Sequence, residues 1–247
     1  MKTLIIADVH LKVNDSGKET REAFARFLYT IDPIQCDRII LLGDLFDFWF
    51  EYKSVIFSGY FEVLAALHHL QKSGIELHLI CGNHDFWSGR FLNNHLKIWI
   101  HPDSYTCTLG KQRALCVHGD GINPKDRAYR LYKRLARHPW IVGAFSLIHP
   151  DRAMRIALKV SHGSRSLRTP EDPADSEEVR ALRRYAEGEL AKGTADVILC
   201  GHSHYPEEKN FPTPTGTGTY INCGDWLEKR TYLIWEDGEF TRAHYTD

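Results

Sequence analysis

Short apolar runs alternate along the chain with stretches in which apolar side chains return every three or four positions. Leu4-Ile5-Ile6-Ala7 is continuous and apolar, as a strand covered on both faces requires, whereas Phe24, Phe27, Leu28 and Ile31 recur at helical spacing within residues 19–31. Arg38-Ile39-Ile40-Leu41-Leu42 predicts a second strand, residues 60–72 a second helix and residues 75–81 a third strand, so the chain opens as βαβαβ. Ser16, three residues before Glu19, fits a capping box for the first helix. Farther along, the pattern predicts a strand at 114–117, a helical segment from 125 to about 160, a helix over 176–191 and strands at 197–200, 220–223 and 231–235. Asp237-Gly238 supplies the turn of a closing hairpin. Two halves rich in βα units predict an α/β protein of stacked sheets flanked by helices.

With 247 residues the chain is short of the length at which one core must split, so a single domain over 1–247 is expected, with a helical insertion at about 124–168. A hydrophobic share of 43% with 26% charged residues excludes disordered and low-complexity classes. The net charge of −1 argues against a molecule built as a whole to bind nucleic acid. No apolar stretch is long enough to span a bilayer, and Asp8 interrupts what a signal peptide would need, so a cytoplasmic protein is expected. Cys81, Cys116, Cys200 and Cys223 each lie in or at the end of an apolar run, which suits buried, reduced thiols.

The strand ends carry the chemistry. Asp8-Val9-His10 follows the first strand, Gly43-Asp44 the second, Gly82-Asn83-His84-Asp85 the third, His118-Gly119-Asp120 the strand at 114–117 and Gly201-His202-Ser203-His204 the strand at 197–200. Open α/β sheets place their sites there. Residues i and i+2 of an extended chain point the same way, so Asp8 with His10, and His202 with His204, can converge. Asp44 can bridge two ions, because each carboxylate oxygen can serve a different one. A donor set of oxygen and nitrogen without thiolate suits Mn²⁺, Fe²⁺ or Zn²⁺. Each motif alone is weak, since a lone DxH or HxH is more often a surface or core histidine. Five in order, all at strand ends, point to one shared site. His84, next to Asn83, is placed to protonate a leaving group or stabilise a transition state, with Asp85 in sequence reach to orient it. Asp120 reads as a partner of the ligands rather than a ligand.

DxH, GD, GNH followed by an acid, HGD and GHxH form, in this order, the signature set of the calcineurin-like metallophosphoesterases, and the chain resembles that family over most of its length. The resemblance implies a four-layer α/β/β/α sandwich and two divalent cations, Mn²⁺ first among them. By it Asp8, His10, Asp44 and His204 would hold one ion, and Asp44, Asn83, His118 and His202 the other.

Two further features bear on the substrate. Residues 124–168 hold eleven basic side chains against two acidic ones, interleaved with apolar residues such as Leu131, Leu135, Trp140 and Leu147. A basic amphipathic insertion of this kind reads as a surface that meets anionic lipid. Directly after Asp44, eight aromatics fall within sixteen residues, from Phe46 to Phe61; Phe61 is expected in the core and others can wall a channel. With these features the chain resembles the bacterial UDP-2,3-diacylglucosamine pyrophosphatases of lipid A biosynthesis. That likeness rests on Gly43-Asp44-Leu45-Phe46, His118-Gly119-Asp120, Asp126, Tyr129, Pro139-Trp140 and Ser164.

This narrower resemblance implies that Asn83, His84, Asp126, Ser164 and His202 touch the substrate, a nucleotide-linked glycolipid, at the cytoplasmic surface of the inner membrane. The best-known enzymes of that family carry Arg where His84 stands. A phosphodiesterase of the same fold acting on soluble esters is the alternative. A metal-free binding scaffold would lack ligands, and none is missing from the set.

Overall fold

The computed structural model describes residues 1–157 and 173–247. One sheet has six strands in the order β11-β10-β1-β2-β3-β4, where β1 is Lys2–Ile6, β2 Arg38–Leu41, β3 Glu76–Ile80, β4 Trp99–His101, β10 Thr231–Glu236 and β11 Glu239–His244. β1 to β4 run parallel, and the β10–β11 hairpin pairs antiparallel with β1. The second sheet is ordered β5-β6-β7-β9-β8, from β5 (Ser104–Leu109), β6 (Gln112–Val117), β7 (Val197–Cys200), β8 (Glu207–Thr213) and β9 (Gly216–Asn222). In it β6, β7 and β9 are parallel, and antiparallel β5 and β8 form the edges.

Alternation of side chains along the strands sorts the core into three seams. Leu4, Ile6, Ile39, Leu41, Leu77 and Leu79 face α1 (Lys18–Thr30) and α2 (Phe61–Lys72), in one seam with Leu92 and Leu96 of α3 (Arg90–Leu96). Ile5, Ile40 and Ile80 point the other way and meet Cys116, Val197, Leu199 and Ile221 of the second sheet. The outer face of that sheet, with Val117, Ile198 and Tyr220, is covered by Leu182, Ala186 and Leu190 of α7 (Glu177–Ala191). The layers are therefore helix, sheet, sheet, helix, as the α/β/β/α expectation had it. Every strand end that carries a polar motif opens at one edge of this stack, because β1 to β3, β6 and β7 belong to parallel sets. The four cysteines expected in the core are buried free thiols.

Several expectations need correction. No capping box forms at α1: the Ser16 hydroxyl donates to Asn14 Oδ1 at 2.8 Å, and a 3-10 turn, Asp15–Gly17, leads into the helix. Phe61 is 64% exposed, because it opens α2 on the side away from the Val63, Leu67 and Leu70 face. The helical segment from 125 is broken into α4 (Arg127–Ala136), α5 (Pro139–Phe145) and a helix over residues 150–157. Pro139 and Pro150 each start a new helix, since the residue before a proline is driven out of the α region. Edge strands β4, β5 and β8 escaped the pattern: β5 buries only Leu109, and β8 carries Pro212, tolerated only where no ladder bond is needed.

Candidate metal centre

The loops after β1 and β2 run side by side: the amide of His10 donates to the Asp44 carbonyl at 2.8 Å and that of Leu11 to Leu45 at 3.0 Å. Ligand-type side chains then tie the remaining loops in. Asp8 Oδ2 accepts from the His202 amide at 2.8 Å, and Asp44 Oδ1 from the His84 amide at 2.9 Å.

The side-chain ends of these groups converge. His204 Nε2 stands 3.4 Å from Asp8 Oδ1 and 3.2 Å from His10 Nε2, and His10 Nε2 is 3.6 Å from Asp44 Oδ2. On the other side, His118 Nε2 lies 3.4 Å from Asp44 Oδ2 and 3.3 Å from Asn83 Oδ1, with His202 edge-on to its ring. Asp8, His10 and His204 thus form one group able to hold an ion, and Asp44, His118 and His202 a second; Asp44 also joins His10 and His84. All seven side chains expected at the site are brought together.

Backbone strain is concentrated here. Among the described residues, eight that are not glycine have positive φ, and five of them are Asp8, His10, Asp44, His202 and His204, at φ 49–68°. Each such conformation costs on the order of 1–3 kcal/mol and persists only where the surroundings enforce it. Gly43 (φ +86°) and Gly201 permit the close approach of loops. A Cβ on Gly43 would lie 2.5 Å from His118 Nδ1, and one on Gly201 2.6 Å from Asp8 Oδ2.

Burial and close pairing pull the ionisable groups of the cluster in opposite directions. Burial holds the Asp8 carboxyl well above the usual carboxylate range, against the pull of His118. Burial also works to raise Asp44, but His118, His84 and His10 outweigh it and leave Asp44 well below that range. His118 is raised in spite of burial, by Asp44 and Asp8, whereas His202 is pushed down to about 4 by burial and by His118. Asp8 Oδ1 is buried with no hydrogen-bond donor, facing two imidazole nitrogens. Converging lone pairs of this kind fit divalent cations held by oxygen and nitrogen.

Asp85 does not orient His84. Its two oxygens accept from the Gly82 amide at 2.7 Å and the Leu45 amide at 2.8 Å, stapling the second and third strand ends together, and burial with Asp44 nearby raises its carboxyl to about 6. The residue that holds His84 is Asp47, whose carbonyl accepts from Nδ1 at 2.9 Å. In the sequence Asp47 carries only the weak signal of standing three residues after Asp44. Asp120 accepts from Tyr129 Oη at 2.7 Å and Lys133 Nζ at 2.8 Å, which fastens α4 to the loop of His118.

A cavity of about 430 Å³ lies over the cluster, reaching Asp126, Tyr129, Glu178 and Glu228. Asp126 also caps α4, accepting from the Tyr129 amide at 2.9 Å. A second cavity of about 450 Å³ is walled by Phe48, Phe86, Trp87, Tyr132, Phe145 and Ile156. Asn83, His84 and Tyr129 border both. Phe46, Trp49 and Tyr60 of the aromatic run are core instead. Ser164 lies outside the described residues.

Several of the insertion's basic side chains are paired: Lys133 with Asp120, Arg137 with Asp103 at 2.7 Å and Lys125 with Glu177 at 3.2 Å. Arg127, Arg130 and Arg134 are exposed on α4 beside Leu131 and Leu135, and Trp140 and Leu147 are 82% and 87% exposed. Among the described residues no helix is long and apolar enough to cross a membrane.

Among the proteins similar to this chain are several named UDP-2,3-diacylglucosamine hydrolase. The chain is 31% identical to that of Photorhabdus laumondii over 229 residues, covering 92% of this chain and 91% of the relative. It is 27% identical to that of Tolumonas auensis over 245 residues (96% and 94%) and 27% identical to that of Porphyromonas gingivalis over 213 residues (80% and 79%). Residues 1–206 match the calcineurin-like phosphoesterase domain, and the chain belongs to that family.

Proposed function

We propose that the protein hydrolyses the pyrophosphate bond of UDP-2,3-diacylglucosamine, releasing UMP and 2,3-diacylglucosamine 1-phosphate, in lipid A biosynthesis. The observation that carries this reading is the junction at Asn83, His84 and Tyr129, where a polar cleft over the ligand cluster meets an aromatic cavity. A substrate with a charged reacting end and an apolar tail needs these two compartments in contact. The names of the relatives support the same substrate.

In this reading Asp8, His10, Asp44 and His204 hold one divalent cation and Asp44, Asn83, His118 and His202 the other, with Mn²⁺ the preferred ion. Such a pair, when bound, lowers the pKa of water and neutralises phosphate charge. His84, with Nδ1 committed to the Asp47 carbonyl, presents Nε2 to the transferring phosphoryl group and its leaving oxygen. Asn83, Asp126, Ser164 and His202 complete the substrate contacts. The exposed face of Arg127, Arg130, Arg134, Leu131 and Leu135 on α4 suits peripheral contact with an anionic membrane, at the cytoplasmic side of the inner membrane.

Turnover of UDP-2,3-diacylglucosamine and of a soluble bis-aryl phosphate, each with Mn²⁺, is the test. The glycolipid is expected to react faster, with one oxygen of H₂¹⁸O appearing in UMP. Faster cleavage of the soluble ester, with no UMP formed, would favour a general phosphodiesterase instead.

A further inference from the structure

We infer that Asn222, which is placed among no group of ligands, is the positioning residue that gives the His202-Ser203-His204 loop its shape. His202 and His204 both sit in the left-handed region, at φ 68° and 56°, with Ser203 between them. Two such residues separated by a single one make a turn that the chain does not hold unaided. The Ser203 amide closes it onto the Gly201 carbonyl at 2.8 Å, which leaves both histidine side chains pointing at the cluster.

One side of this loop is gripped by Asp8, whose Oδ2 accepts from the His202 amide. The other side is gripped by Asn222, the last residue of β9 and fully buried. Its Nδ2 donates to the Gly201 carbonyl at 2.7 Å and to Ser203 Oγ at 3.1 Å, and its Oδ1 accepts from the Gly224 amide at 3.0 Å. A carbonyl at one end and an N–H at the other permit only one orientation of the carboxamide. No other side chain of this size offers donors and an acceptor in that arrangement. Aspartate would set an oxygen against the Gly201 carbonyl, and leucine would delete all three contacts and leave the buried Gly224 amide without its acceptor.

Among the described residues, β9 is the one central parallel strand whose end supplies none of the proposed ligands. Its role is to hold in place the loop of its neighbour β7, so that two imidazoles meet Asp8 and Asp44 at fixed distances. The inference rests on the reading that His202 and His204 hold cations. Partners that orient metal ligands cost about 10- to 100-fold in metal affinity when removed.

The test is a Mn²⁺ titration of metal-free protein, read by electron paramagnetic resonance, for the wild type, Asn222→Asp and Ser203→Ala. The wild type is expected to take two ions and to show the exchange-coupled signal of a Mn²⁺ pair. The added carboxylate of Asn222→Asp would by Coulomb attraction tighten cation binding. If the lost donor governs, the variant instead binds at least one ion about 10- to 100-fold more weakly and loses the coupled signal. Ser203→Ala deletes one of the three Asn222 contacts from a loop position, and should weaken binding in the same direction by less. It decides the matter should Asn222→Asp fail to fold. Unchanged or tighter binding in the folded variants overturns the inference while leaving the two-ion reading intact. A wild type that takes fewer than two ions overturns that reading and the inference together.

Discussion

His84 donates from Nδ1 to the main-chain carbonyl of Asp47 at 2.9 Å, and the Asp47 carboxylate stands 3.9 Å from the same nitrogen and 3.7 Å from Nδ1 of His10. One loop residue therefore faces the far side of two imidazoles, leaving the Nε2 atom of each turned toward Asp44. The two histidines have different tasks in the proposed reaction, and substitution separates them.

His84→Ala should keep both cations and lower turnover by about 10²- to 10⁴-fold, the scale for a group that acts on the reacting atoms. Metal analysis beside kcat checks this. Loss of metal in parallel with activity would make His84 a ligand.

Asp44→Ala should abolish nearly all hydrolysis, by about three powers of ten or more, since Asp44, whose Oδ2 lies 3.6 Å from His10 Nε2 and 3.4 Å from His118 Nε2, is the side chain shared by the two proposed ligand sets, and its loss would leave two cations unshielded from each other. Metal content after chelation and reconstitution is the companion measurement. Two ions held with full activity would refute a bridging role.

Arg127, Arg130 and Arg134 replaced by Glu should weaken binding to anionic vesicles by about 1 kcal/mol for each basic charge removed, an effect that shrinks as salt is added. Hydrolysis of an acylated substrate should slow while that of a small soluble ester changes little. Arg137 is left out of the set because it pairs with Asp103 at 2.7 Å and lies over the Phe86 ring. Equal loss on both substrates would mean that these charges support the fold.

Far from the site, burial pushes His78 down to about 4, helped by Arg38 and His101. Its ring stacks on Tyr105 and His101. The unfolded chain binds a proton at this residue near pH 6.5, and the folded one only near 4, so stability is present above 6.5 and falls as the pH drops through that window. His78→Phe keeps a stacking ring without a titrating group. It should remove about 1–2 kcal/mol of the stability difference between pH 7 and pH 5, measured by urea unfolding with chelator present. An unchanged difference would place the acid sensitivity elsewhere.

How much of this was legible in the chain follows from where the information lies. Strands such as Ile39–Leu41 are covered on both faces and read as unbroken apolar runs, so the alternation of layers could be drawn from them. The candidate ligands are legible because strand ends in parallel sheets share an edge. What escaped depends on tertiary choice. Asp85 and Asp47 both lie within reach of His84 along the chain or across a loop, and only folding commits Asp85 to the amides of Gly82 and Leu45. Asn222 carries no signal, because a residue that bonds to backbone leaves no mark in a motif. The basic count of the insertion was correct, but it could not separate Lys133 and Arg137, bound inward, from Arg130 and Arg134.

The pairing of β1 with β10 has a consequence for how the chain is made. Lys2 lies opposite Glu236 and Ile5 opposite Leu233, so one edge of the strand that leads to Asp8 and His10 stays open until more than 230 residues have left the ribosome. Until then the segment that carries Asp8 and His10 has its strand partner on the β2 side alone. Closure of the six-stranded sheet joins residues more than 225 positions apart, a contact with a high loop-closure cost. Throughout elongation the open edge of β1 is the surface that a chaperone would need to cover.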